Sequence, residues 1–267
     1  MKRKIPLILL CILFLGIAGY FVTRFFMTWS DYTVGKETYE ELIHYIHLQT
    51  PSDMEEKPLE PEQQEENLPQ EEAPPGISDD INWPVVDFDA LLEINPDVVA
   101  WIFIEGTNIN YPVVQGEDNS YYLRRLIDGK ANNAGTIFLD YRNEKELSDR
   151  NHIFYGHRMN DGTMFNQITK YKDQSFYDSH PVCLILTPDG NYKLEFFAGY
   201  VTDLNSQAWK MEFASDEEYT QWLENAVAKS AFTSTVEPTA EDRVVTLSTC
   251  TYEYDDARFV LVGVLKT

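Results

Sequence analysis

Cysteine, histidine and arginine can together carry out nucleophilic chemistry, and this chain's pattern places one of each at the end of a strand. Val244-Val245-Thr246-Leu247-Ser248-Thr249-Cys250 and Arg258-Phe259-Val260-Leu261-Val262 are β-branched, apolar runs flanking a polar loop. That pattern predicts two strands joined by a short connection. Cys250 leaves the first strand where Arg258 enters the second, so a thiol and a fixed positive charge share one end of a sheet. The thiolate is the reactive form and needs a proton acceptor or a positive neighbour. Taken alone, a free cysteine is more often a small buried hydrophobe. Three histidines fall in the folded part of the chain. His152 opens an apolar strand and alternates with Ile153, and His180 precedes Pro181 in a turn. His157 follows Tyr155-Gly156 and precedes the loop-forming Arg158-Met159-Asn160-Asp161-Gly162. It therefore emerges where a strand ends and glycine permits a sharp bend. Catalytic side chains often sit on such loops over a rigid sheet, although a lone histidine is more often structural.

Other chemistries fall away. Tyrosine phosphatases need an arginine where this chain has Asp256, and their loop cradles phosphate, whereas this one is acidic. Papain-like hydrolases place cysteine before histidine, on a helix N-terminus; here histidine comes first and cysteine ends a strand. No zinc spacing, P-loop or dinucleotide fingerprint is present. His44 and His47 lie one turn apart without a third ligand and are read as surface residues, so no metal or cofactor is expected. A formal net charge of −23 repels phosphate backbones and excludes nucleic-acid partners. The three cysteines, Cys11, Cys183 and Cys250, form no disulfide framework. Cys183 lies in an apolar strand and reads as core, with a Cys183–Cys250 bridge left open.

The elements that must position these residues begin with an address. Met1-Lys2-Arg3-Lys4 is a basic cap, and Ile5 to Val22 is predominantly apolar, long enough to span a bilayer. No small-residue cleavage site follows, so residues 1–30 read as an uncleaved anchor with its N-terminus in the cytoplasm. Everything beyond Trp29 then lies outside the cell. Tyr39, Leu42, Ile43 and Ile46 recur at helical spacing, predicting a short membrane-proximal helix over 36–48 within a segment 31–50. Residues 51–80, dominated by Glu and Pro, read as an extended spacer that holds the next domain off the membrane.

The globular domain spans 81–267. Asp87 caps a helix bearing Phe88, Leu91 and Leu92. Strands are expected at 98–104, 109–114, 135–139, 151–155, 182–187 and 192–201, with Pro112 marking an edge or bulge and Pro188-Asp189-Gly190-Asn191 a hairpin turn. Ser215-Asp216-Glu217-Glu218 is a capping box, followed by an apolar stripe of Tyr219, Trp222, Leu223, Ala226 and Val227. The fold class is mainly β: a closed barrel of about eight strands with an N-terminal helix and a helical insertion before the last two strands.

The order His, then Leu-Ser-Thr-Cys ending a strand, then Arg opening the next resembles the class B sortases. Tyr155-Gly156-His157-Arg158-Met159-Asn160-Asp161-Gly162-Thr163-Met164-Phe165 is similar to their histidine motif. Tyr111-Pro112-Val113-Val114-Gln115-Gly116-Glu117-Asp118-Asn119-Ser120-Tyr121-Tyr122-Leu123 and Gly135-Thr136-Ile137-Phe138-Leu139-Asp140-Tyr141-Arg142-Asn143 also resemble that class. So does the capped helix before the final strands. The resemblance covers 81–267 and implies a membrane-anchored cysteine transpeptidase on a sortase barrel. Cys250 is then the nucleophile that forms a thioester with a C-terminal sorting motif of a secreted protein. His157 is the general acid/base, Arg258 holds the oxyanion, and a peptidoglycan amine releases the acyl group. The resemblance further places Asn119 and Leu123 in the substrate groove and Ser248 and Thr249 beside the nucleophile, and Trp209 is a candidate groove wall. The 251–257 loop is shorter and more acidic than the family pattern. A pilus-type sortase that uses a lysine amine, a thiol hydrolase that uses water, and a non-catalytic peptide-binding surface protein are the alternatives.

Overall fold

The structure, a computed structural model, describes residues 4–48 and 83–267. Helix α1 runs unbroken from Lys4 to Leu42. Its one proline, Pro6, lies in the first turn, where a missing N–H costs nothing. Residues 10–30 are exposed, and this helix is long and apolar enough to cross a membrane. Beyond them one stripe turns onto the globular body, with Gly35, Tyr39 and Leu42 buried. The short helix expected over 36–48 is thus the end of one continuous rod, because nothing between the apolar run and the stripe breaks the backbone. It also stops earlier than the periodicity implied. A 3₁₀ turn over Ile43–Tyr45 leads into strand β1 (Ile46–Leu48).

Strand β1 pairs antiparallel with β2 (Pro84–Val86), with Leu48 opposite Pro84. Paired strands lie about 5 Å apart, so the stretch 49–82 leaves and rejoins the structure at one place. The acidic stretch 51–80, expected to hold the domain off the membrane, lies outside the described residues. Helix α2 (Phe88–Ile94) follows, with the Asp87 carboxylate accepting from the Ala90 N–H at 3.0 Å.

Eight strands then close a barrel: β3 (Val98–Phe103), β4 (Asn110–Val114), β5 (Ile137–Leu139), β6 (Asn151–Tyr155), β7 (Val182–Thr187), β8 (Gly190–Thr202), β9 (Arg243–Cys250) and β10 (Arg258–Lys266). Around the barrel the order is β10-β8-β7-β3-β4-β5-β6-β9. Pairing is antiparallel except for β4–β5 and β6–β9. Pro112 pairs with Trp101 of β3 and sits just before the β4–β5 ladder begins at Val113, so its missing N–H interrupts nothing. Two short helical insertions complete the chain, α3 (Gln174–Ser179) and α4 (Asp216–Lys229).

Strand β10 shows why the barrel is stable. Phe259 and Leu261 point inward to the main core, while Val260, Val262 and Val264 point outward beneath α4. Both faces are buried, so the strand reads as a continuous apolar run. Each large side chain so buried contributes about 1.5–3 kcal/mol. Helix α4 supplies Tyr219, Trp222, Leu223 and Ala226 to this outer layer. Val227, expected in the same stripe, is exposed, because the buried face is narrower than the sequence pattern. Ser215 caps α4, but the Glu218 carboxylate reaches the Ala214 N–H and Lys210 rather than closing the reciprocal box.

Candidate active site

Strand register assembles the site. β6 and β9 run parallel with Tyr155 beside Ser248. Their pairing continues past the strand ends through Gly156 N–H to the Ser248 carbonyl (3.1 Å) and Thr249 Oγ1–H to the Gly156 carbonyl (2.7 Å). His157 and Cys250 each lie two residues beyond the Tyr155–Ser248 pair, so they leave the barrel at the same rim. β10 returns antiparallel with Arg258 directly opposite Cys250, and directly opposed residues share a face. Gly156 has a different reason from the one expected. It does not adopt a positive φ; instead a Cβ there would fall 2.4 Å from Ile137 and 2.6 Å from Phe165. Glycine lets the histidine strand lie close against its neighbours.

The His157 ring is half-buried and its Nε2 lies 2.6 Å from the Leu123 carbonyl. A carbonyl only accepts, so Nε2 carries a hydrogen and Nδ1 is the nitrogen left for proton traffic. Burial pushes the imidazole below its ordinary pKa, the Leu123 bond opposes that, and the Arg124 charge adds to it. Burial and the Arg124 charge thus favour the neutral ring. Arg258 spends one Nη1–H on the Ala257 carbonyl (3.1 Å). Among the described residues it has no carboxylate partner, which leaves most of its donor fork facing the cleft.

His157, Cys250 and Arg258 line a cleft of about 540 Å³. Asn119, Leu123, Trp209, Ser248 and Thr249 line the same cleft, so every candidate residue is brought together there. Several have their polar groups committed inward. Ser248 Oγ accepts from the Trp209 indole N–H at 3.2 Å. Asn119 donates to the Asp140 carboxylate (2.9 Å) and accepts from the Tyr141 N–H (3.1 Å). Trp209 is fixed from behind by Asn151, whose amide donates to the flanking Ala208 and Lys210 carbonyls.

Sequence reasoning missed four contributors. Phe138, Tyr155 and Leu204 complete the apolar lining. Asp140, fully buried, gathers Asn119, Arg142 and the Tyr155 hydroxyl. Burial works against its charge, but the bidentate Arg142 and the Asn119 amide outweigh that and hold its pKa down. Its signal was the aspartate at the end of the Ile137-Phe138-Leu139 run, where a buried carboxylate demands a partner. The remaining candidates are placed elsewhere. His152 is fully buried, His180 stacks on Phe176 with ring centroids 4.3 Å apart, and His44 and His47 are exposed. Cys183 is a free thiol at the core, its pKa raised by burial. Cys250 is also free and half-buried, so no Cys183–Cys250 bridge is present.

The loop 251–257 is clipped rather than loose. Thr251 N–H bonds the Ala257 carbonyl (3.0 Å), Lys172 reaches both Thr251 and Glu253, and the Arg158 guanidinium lies 4.6 Å over the Tyr252 ring. Burial would raise the Glu253 carboxyl, but the hydrogen bonds from Lys172 and Thr251 and the Lys172 charge bring it to about 2.

The chain as a whole is similar to known proteins. A family model for the sortase domain matches residues 102–266. The chain is 38% identical over 179 residues to sortase B of Staphylococcus aureus, covering 67% of this chain and 73% of that one. It superposes on the Staphylococcus aureus sortase B–substrate complex with a TM-score of 0.64 at 38% identity, covering 67% of this chain and 83% of that one. Sortase B from Bacillus anthracis in complex with AAEK1 covers 90% of this chain and 99% of its own, with a TM-score of 0.70 at 34% identity. A closed mixed barrel, a cysteine and an arginine opposed across its last hairpin, and this likeness together establish that the chain belongs to the sortase family of cysteine transpeptidases, among the sortase B proteins.

Proposed function

We propose that this chain is a membrane-anchored transpeptidase that cleaves a C-terminal sorting motif of secreted proteins and transfers them to a peptidoglycan amine. The observation that carries the reading is the register of β6, β9 and β10, which delivers His157, Cys250 and Arg258 to one rim of one cleft. The Cys250 thiol passes its proton to His157 Nδ1 as its sulfur attacks the scissile carbonyl carbon. Negative charge then develops on the carbonyl oxygen, where the Arg258 fork stabilises it. The C–N bond breaks as His157 Nδ1 hands a proton to the departing amine nitrogen, leaving a thioester on Cys250. An incoming amine attacks that thioester, gives its proton back to His157, and expels the Cys250 sulfur. Leu123 keeps the other ring nitrogen occupied, so a single nitrogen of His157 handles each transfer.

The apolar lining of Leu123, Phe138, Tyr155 and Trp209 suits an extended peptide. The substrate seen with the Staphylococcus aureus relative supports a sorting signal as that peptide. For the address, α1 docks on the barrel from Asp31 onward, directly after a run long enough to span a bilayer. A cytoplasmic N-terminus then places the cleft outside the cell, close above the membrane.

Incubating the full chain with sorting-signal peptides, with and without glycine oligomers or a lysine-containing peptide as acceptor, and weighing the intact protein tests this reading. The expected result is a thioester adduct that disappears in Cys250→Ala, with turnover accelerated by glycine oligomers. Adduct formation that survives Cys250→Ala would overturn the mechanism. Acceleration by the lysine peptide alone would point to pilin joining, and turnover indifferent to any amine to a hydrolase.

A further inference from the structure

Tyr39 stands on α1, on the anchor side of the molecule, yet it touches both supports of the histidine that the preceding reading makes catalytic. The first runs through Gly135. The Tyr39 hydroxyl donates to the Gly135 carbonyl at 2.5 Å and lies 3.0 Å from Thr136 Oγ1. Gly135 adopts a φ of +62°, and a Cβ there would sit 2.7 Å from the carbonyl oxygens of Tyr122 and Leu123. The next residue, Thr136, gives its N–H to the Tyr122 carbonyl at 3.0 Å. Gly135–Thr136 is thus pressed against the backbone whose Leu123 carbonyl holds His157 Nε2. The second support runs through Tyr111. The two tyrosine rings meet edge to face at 5.3 Å, and the Tyr111 hydroxyl accepts the Met164 N–H at 3.0 Å. Met164 has a positive φ of 55°, bridges to Arg158, and is followed by Phe165, whose N–H bonds the His157 carbonyl at 2.9 Å. A non-glycine residue in that conformation persists only where its surroundings hold it.

Close approach makes this contact possible. Gly35, one turn earlier on α1, presents no side chain where a Cβ would meet Asn132 at 3.1 Å and Ala134 at 3.2 Å. Asp31 accepts from the Asn132 and Asn133 side chains. The docked helix is therefore seated along its length, with Tyr39 at the point where the paths to Leu123 and to Met164 meet.

We propose that Tyr39 is a positioning residue for His157: by bracing Gly135 and Tyr111 together it fixes the imidazole from below and from behind. The docked end of α1 is then part of the catalytic apparatus as well as a tether. The inference rests on His157 being the general acid/base, and it is tested by a measurement that needs no substrate. In the full chain in detergent micelles, the His157 ring is titrated by NMR, with its signal assigned by its loss in His157→Gln. Tyr39→Phe keeps the ring contact and removes the hydroxyl; Tyr39→Ala removes both paths. A loosened Leu123 acceptor withdraws a bond that favours the charged ring, so the His157 midpoint should move down in Tyr39→Phe and further in Tyr39→Ala. In parallel, kcat with sorting-signal peptide should fall about 3- to 10-fold in Tyr39→Phe, the worth of one hydrogen bond, with KM within about twofold. A His157 titration identical to wild type in both variants would overturn the proposal. So would activity that falls only in proportion to unfolded protein. Should the wild-type chain fail to turn over any sorting peptide, the transpeptidase reading fails, while the titration still decides whether Tyr39 positions His157.

Discussion

The β6–β9 pair carries a histidine near each end, and the two ends behave oppositely. At the end where β6 begins, His152 is fully buried and both ring nitrogens are spent: Nε2 accepts the Asp149 N–H at 2.9 Å, and Nδ1 donates to the Val244 carbonyl at 3.2 Å. Asn151 and Asn143 knit the surrounding backbone, and Arg243 gives its guanidinium to the Leu147 carbonyl. At the far end His157 has one nitrogen committed and one free, Arg258 has a largely open fork, and the barrel gapes into a cleft. Burial depresses the pKa of both histidines. A shifted titration therefore does not distinguish the end proposed to do the chemistry from the structural one; an unspent donor or acceptor facing a cavity does.

Removing each histidine should break this contrast in opposite ways. His157→Ala should lower turnover by about a hundred- to ten-thousand-fold, the usual worth of a general acid/base, with the thermal midpoint nearly unchanged. His152→Ala should cost about 2–4 kcal/mol through an emptied site and two orphaned backbone groups, lowering the midpoint by roughly 5–15 °C. Its kcat per folded molecule should stay within about twofold. Circular dichroism melts beside steady-state kinetics check both arms; a His152 variant that is stable but inactive would sink the distinction.

The arginines extend the comparison along β9 and β10. Arg258→Lys retains a charge but loses the planar fork, and turnover should fall about ten- to a hundredfold. Arg243→Lys at the sealed end should leave the rate within about twofold. An unchanged rate in Arg258→Lys would remove the oxyanion role.

Acid separates the two ends as well. The His152 pKa is lowered from 6.5 to about 4 by burial, opposed by its Val244 bond. A base whose folded pKa is depressed binds fewer protons folded than unfolded, so its stabilisation is complete above the unfolded value and is lost as pH falls from 6.5 toward 4. The loss is on the order of 3 kcal/mol across that window. Asp140 and Glu253, also depressed, add their loss at lower pH. Melts between pH 7 and 4 should fall steeply for the wild type and more shallowly for His152→Gln, which cannot titrate.

Where these ends would lie was partly legible in the sequence. Cys250 and Arg258 could be placed because both flank one hairpin, and hairpin contacts are local. The eight barrel strands were legible because their apolar runs stop at turn residues. His157 was harder, since its partnership with Cys250 depends on a parallel register between strands far apart in sequence; family motifs supplied what periodicity could not. The seating of α1 and the β1–β2 pair were illegible for a related reason. Ile46-His47-Leu48 extends a helical pattern, and only a partner beyond the Glu/Pro-rich stretch turns it into a strand. Gly156 looked like a hinge because sequence shows glycine's freedom but not the crowding of Ile137 and Phe165.

The acidic loop 251–257 offers the smallest effect and the finest test. A negative rim of Glu253, Asp255 and Asp256 would attract a cationic acceptor. The structure weakens the first of these, because Glu253 is already neutralised by Lys172. That pair is one-third exposed at Lys172 and slightly more at Glu253 (33% and 39%), so it contributes about 0–1 kcal/mol. The backbone bond from Thr251 to Ala257 and the Arg158–Tyr252 stack keep the loop closed without it. Glu253→Gln should therefore shift the thermal midpoint by no more than about 2 °C. It also leaves Lys172 uncompensated beside the cleft, so transfer to a cationic amine should slow by about two- to threefold at low ionic strength, with hydrolysis unaffected. Salt near 1 M, where screening reaches about 3 Å, should erase the difference. A deficit that persists in high salt and appears equally in hydrolysis would mean that the Lys172 clip places Cys250 itself, and the loop would then belong with the nucleophile instead of the rim.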